Sequence, residues 1–175
     1  CANPKAVLKL KDKDTRAWLS PGFVAVLTQD QLAVYDAQLS KKPLWKRDFK
    51  AAGWTDPQVR IQDSVVVLLD RDRVAAFGPD GSVLAESSRD FVALAKAPDY
   101  LRTAADPGAF WHGPARAILR SGFGASRIEY QRLETSRVRS TAWIGPAATR
   151  LIGLDDQGVL LGLPDGRLLR LTPDH

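Results

Sequence analysis

His112 and His175 are the chain's two histidines, and with Cys1 they are its whole stock of imidazole and thiol groups. Zinc centres are built from thiolate and imidazole, and imidazole does most acid–base work near neutral pH. So small a set predicts no metal site and no His-driven nucleophile. No Gly-x-Ser-x-Gly turn surrounds any serine. His112, between Trp111 and Gly113-Pro114, reads as an exposed or structural loop residue. One cysteine also excludes an intrachain disulfide.

Carboxylates are more abundant, with 17 Asp and three Glu. Asp12 with Asp14, Asp70 with Asp72, and Asp155 with Asp156 are close enough in sequence to suggest calcium ligands or a glycosidase pair. None opens the Asp-rich loop, closed by Glu, that makes calcium sites specific. Each pair falls beside a strand end, where Asp starts turns by bonding its own backbone, and that role accounts for them without catalysis. Gly122-Phe123-Gly124 lacks the following helix or lysine that a phosphate cradle needs, and reads as a hairpin tip. No catalytic residue, metal ligand or cofactor site is therefore expected.

Binding surfaces are better represented. Lys5, Lys9, Lys11 and Lys13 alternate near the start, within a first 50 residues holding ten Lys and Arg against five Asp. Residues 101–150 carry eight Arg against three acids. In 127–134, period-two alternation puts Arg127, Glu129 and Gln131 on one face and Ile128 and Tyr130 on the other. Arg137 and Arg139 are expected to extend that polar face on the next strand, forming a basic ribbon that is either a solvated strand face or a docking surface for an acidic protein partner. Trp54 and Trp111 sit in Gly- and Pro-containing stretches, where an aromatic either anchors an interface or belongs to the core. Trp45, in a strand context, is expected to be a core or sheet-spacing residue.

Rigid elements must carry these groups, and they follow from an internal repeat. Residues 26–35 (VLTQDQLAVY) align without a gap on 68–77 (LLDRDRVAAF), 42 positions on. Residues 72–84 (DRVAAFGPDGSVL) align on 157–169 (QGVLLGLPDGRLL), 85 positions on, about twice that interval. Each copy reads as strand, turn, strand, with Pro79-Asp80-Gly81 and Pro164-Asp165-Gly166 as turn formers. Four units are expected, beginning near residues 20, 60, 113 and 147, the third stretched. An extra strand is expected at 5–11, with short helical stretches at 90–97 and 100–105. The expected fold is all-β, a small or incomplete propeller-like repeat domain over residues 5–175. No apolar run approaches the roughly 20 residues of a membrane-spanning helix.

Leu32-Ala-Val-Tyr-Asp36 followed by Pro43-Leu-Trp-Lys-Arg-Asp-Phe49 resembles the repeat of pyrroloquinoline-quinone-type propellers. That repeat also builds the propeller lipoprotein of the bacterial outer-membrane protein assembly complex, a chain about twice as long. The resemblance covers one unit of four, and the other units lack its Trp. A sequence opening at Cys1 also resembles a mature bacterial lipoprotein, with residues 1–4 as tether and a covalent lipid on Cys1. These resemblances imply an envelope protein facing the periplasm, with Lys5, Lys9, Lys11 and Lys13 near anionic headgroups. The expected function is a non-catalytic accessory or scaffold subunit of an integral membrane complex, with Trp54, Trp111, Arg127, Arg137 and Arg139 as partner-binding candidates. Nucleic acid is not expected as a partner, and the residues identify no small-molecule substrate. The alternatives are a carbohydrate-active or quinone-dependent propeller enzyme and a free-standing glycan or peptidoglycan binder.

Overall fold

A computed structural model describes residues 15–49, 51–62, 64–122, 124–135 and 137–172. The strand expected at 5–11, with Cys1, Lys5, Lys9, Lys11 and Lys13, lies outside the described residues. The described residues are nearly all β, in four consecutive antiparallel meanders of three or four strands, the repeat unit of propeller-like proteins. It divides into two compact units, Cys1–Arg89 and Asp90–His175.

In the first unit, β1 (Arg16–Leu19), β2 (Phe23–Leu27), β3 (Gln31–Asp36) and β4 (Trp45–Asp48) form one sheet in chain order. A second sheet contains β5 (Gln58–Gln62), β6 (Val65–Leu69), β7 (Arg73–Phe77) and β8 (Val83–Ser88). Alternation along each strand decides what the sheets share: Phe23, Ala25, Leu27, Leu32 and Val34 point one way, and Val66, Leu68, Ala75 and Phe77 meet them in one core. Each large side chain taken from water there contributes about 1.5–3 kcal/mol. Val67, Val74 and Ala76, on the other face, are also fully buried. This explains the unbroken apolar runs of β6 and β7.

The repeat maps strand onto strand. Phe23–Leu27 moved by 42 positions coincides with Val65–Leu69, and Arg73–Phe77 moved by 85 coincides with β14 (Gly158–Gly162). Even the turns coincide. Gly78 N–H donates to Ser82 O at 2.9 Å and Gly81 N–H to Gly78 O at 3.0 Å; Leu163 to Arg167 and Gly166 to Leu163 repeat both bonds. Gly81 and Gly166 take φ of 81° and 86°, which an L side chain resists.

The second unit opens with α1 (Phe91–Lys96), capped by the Asp90 carboxylate accepting from Ala93 N–H, and α2 (Asp99–Ala105). Its first sheet runs β9 (Ala109–His112), β10 (Ala115–Gly122), β11 (Ala125–Glu134) and β12 (Arg137–Pro146). The stretched third unit is accommodated by longer strands, so Gly122, expected at a hairpin tip, pairs with Ala125 in the β10–β11 ladder. The last sheet has three strands, β13 (Arg150–Asp155), β14 and β15 (Leu168–Leu171). Ala117, Ile128, Tyr130, Val159 and Leu161 form the core between the two sheets of this unit.

Candidate functional site

Groups able to do acid–base chemistry are largely engaged in holding turns. Asp70, 8% exposed, ends β6 and accepts from Thr55 N–H at 2.8 Å, Thr55 Oγ1 at 3.0 Å and Arg71 N–H at 2.8 Å. Burial pushes its carboxyl upward, but the bonds from Thr55 and Arg71 outweigh that and hold it below the ordinary value. Asp36, Asp80, Asp155 and Asp165 are lowered in the same direction, chiefly by bonds from Ser40, Ser82, Arg170 and Arg167. All four cap turns at strand ends. His112 closes β9 rather than sitting in a loop, and its Nε2 lies 3.0 Å from Asp156 Oδ1 on the surface. Among the described residues no three His, Cys, Asp or Glu groups gather as metal ligands, and no helix is long and apolar enough to cross a membrane.

The arginines converge on the sheet β9–β12. Arg127 Nε lies 3.3 Å from Glu129 Oε1, and Arg120 Nε donates to Glu129 Oε2 at 3.1 Å, so one carboxylate serves two guanidiniums on one face. Arg137 and Arg139 are not on that face. In an antiparallel ladder, directly opposed residues share a face, and the pairs are Ile128 with Trp143, Tyr130 with Thr141, Arg132 with Arg139, and Glu134 with Arg137. The expected single ribbon is therefore corrected to two surfaces. Arg127 lies with Glu129, Val138 and Ile144, whereas Arg137 and Arg139 extend the face bearing Tyr130 and Trp143. The two-residue connection after Glu134 sets this, because it pairs residues of opposite parity.

On that second face the chain leaves a cleft of about 190 Å³ lined by Ile128, Tyr130, Thr141, Trp143, Val159 and Leu171. The indole of Trp143 lies over Gly145, where an added Cβ would stand 2.0 Å from the ring. Gly145 thus makes room for the aromatic wall of the cleft. Beyond the apolar part come Arg132, Arg139 and Arg137, all exposed, with Glu134 bonded to Arg139 at 3.0 Å.

The two candidate tryptophans separate. Trp54 is 7% exposed in the core of the first unit, with the Arg73 guanidinium 4.0 Å above its ring, so its indole is not available to a partner. Its backbone N–H donates to Phe49 O at 2.9 Å, and its side chain joins the core beside Phe49. Trp111 lies in β9 instead of a loop, half-buried, stacked on Phe91 at 6.0 Å and flanked by the Arg102 and Arg116 guanidiniums at 5.5 Å each. Trp45 spaces the two sheets of the first unit, as its strand context predicts. Sequence reasoning missed Ile144, 71% exposed, and Val138, 42% exposed. Val138 carried a signal, an apolar residue between Arg137 and Arg139, whereas Ile144, between Trp143 and Gly145, carried none.

No family model matches the chain, and no curated protein matches it. Among solved structures it is similar to a computationally designed protein, Ika4, at a TM-score of 0.37 and 13% identity over 98% of each chain. A likeness of that degree bears on neither architecture nor function.

Proposed function

We propose that this protein is a non-catalytic binding module, an accessory or scaffold subunit that docks onto a larger assembly at a bacterial membrane. The observation carrying this reading is β12. All but Trp143 and Gly145 of its ten residues are exposed, and it gathers Arg137, Val138, Arg139 and Ile144 on a rigid sheet. Solvent-facing aliphatic and guanidinium groups on a regular strand fit protein recognition, where apolar contact and Arg dominate. Asp36, Asp70, Asp80, Asp155 and Asp165 are committed to turn bonds, which supports the same reading.

Co-purification from solubilised native membranes tests it. A photo-crosslinking residue at Ile144 is expected to capture a stoichiometric partner, and one at Leu84, exposed on the first unit, is not. A chain that runs alone from native membranes overturns the proposal. The lipid expected on Cys1 is part of the same reading, and intact mass of the natively purified chain tests it: an unmodified Cys1 removes the anchor.

A further inference from the structure

We infer that β12 receives an extended acidic segment of a partner protein as an added antiparallel strand. This rests on the binding-module reading and deepens it by naming the contact and the partner's chemistry. Among the described residues β12 pairs with β11 and with no other strand, and among these its second edge presents the outward backbone N–H and C=O groups of a ten-residue strand. Such an edge is a template for strand addition unless charge, proline or a bulge blunts it. Here the β11–β12 pairing runs without a register shift from Ala125–Pro146 to Glu134–Arg137, proline appears only at the final position, and the charges on the strand, Arg137 and Arg139, blunt it against a cationic guest while matching an acidic one.

Side chains beside the edge state what the incoming strand should carry. Trp143 and Thr141 border the apolar cleft, then Arg139 and Arg137 follow on the same face at two-residue spacing. An antiparallel guest therefore offers, from its N-terminus at every second position, a bulky apolar residue, a β-branched residue and two carboxylates. On this face Arg132, Arg137 and Arg139 stand against Glu134, which bonds Arg139, so the excess of guanidinium favours an acidic guest over a basic one. A second copy of the chain fits poorly. Laid antiparallel with full overlap, it would set Arg139 against Ile144 and Arg137 against Pro146.

The test uses the full chain and a synthetic peptide, Val-Leu-Thr-Val-Thr-Glu-Val-Glu-Thr. Amide hydrogen exchange and NMR shifts are expected to change in 137–146 on adding it. Replacing both glutamates by lysine, or N-methylating alternate residues so that one edge cannot donate, is expected to weaken binding at least tenfold. The double variant Arg137→Glu with Arg139→Glu, on exposed positions, is expected to reverse the preference between glutamate and lysine peptides. Absence of binding, binding indifferent to charge or N-methylation, or concentration-dependent protection of 137–146 without peptide overturns the inference. A native partner that crosslinks only from another surface overturns it as well, while leaving the binding-module reading intact; the absence of any native partner removes that reading itself.

Discussion

The indole N–H of Trp45 donates to the backbone carbonyl of Pro79 at 3.1 Å, joining the outer strand of one sheet to a turn of the next. Arg47 reinforces the same joint, with Nη2 donating to Gly81 O at 3.3 Å and its guanidinium 4.5 Å above Phe77. The repeated Pro-Asp-Gly turns thereby acquire different duties: one only turns the chain, while the other also receives a neighbouring sheet.

That difference is measurable. A Cβ at Gly81 would stand 2.8 Å from Trp45 Cγ, whereas at Gly166 nothing lies within 4 Å, although both residues have positive φ. Gly166→Ala is expected to cost about 1 kcal/mol, the left-handed penalty alone. Gly81→Ala should cost about 1–3 kcal/mol more, since overpacking is added. Denaturant unfolding of the two variants checks this, and equal losses would refute the role given to Trp45.

Asp70 should mark the acid limb of stability. Its folded carboxyl lies below the ordinary 3.8, so its contribution is fully present above that value and is lost as pH falls through the lower folded one. Asp70→Asn removes a charged acceptor facing Thr55 and is expected to cost about 1.5–3 kcal/mol at neutral pH. The loss should shrink towards pH 2, as followed by urea unfolding across pH.

Trp54 and Ile144 should behave oppositely. Trp54→Ala opens the core of the first unit and is expected to destabilise by about 3–5 kcal/mol. Ile144→Ser, at a position 71% exposed, should stay within about 0.5 kcal/mol while weakening partner capture. Thermal unfolding alongside crosslinking yield separates the two effects.

Ser126 is fully buried, and its Oγ finds no hydrogen-bond partner among the described residues. Ser126→Ala is expected to raise stability by about 1 kcal/mol, because a desolvated hydroxyl is removed with little change of volume. Chemical denaturation reads this directly.

Much of the fold was legible because the same hairpin is written more than once. Matching residues 26–35 with 68–77 placed β2 and β3 over β6 and β7, and the helical stretch expected at 90–97 is α1. The candidate surface was legible only in part. Alternation orders faces within one strand, but the turn between strands decides which faces join. Thus Arg127 was placed correctly among its own neighbours, and Arg137 and Arg139 were not. Trp54 followed a loop composition that says nothing of which way a side chain turns; packing beside Phe49 in the core is visible only in three dimensions.

Every strand pairing described joins neighbours along the chain, from β1 with β2 through to β14 with β15. Each sheet can therefore assemble by closing short loops, whose entropy cost is small. Distant parts of the sequence need meet only when finished hairpins pack face to face, a low-contact-order route that favours rapid folding for a β protein. A chain organised in this way can complete its early meanders while later residues are still being synthesised.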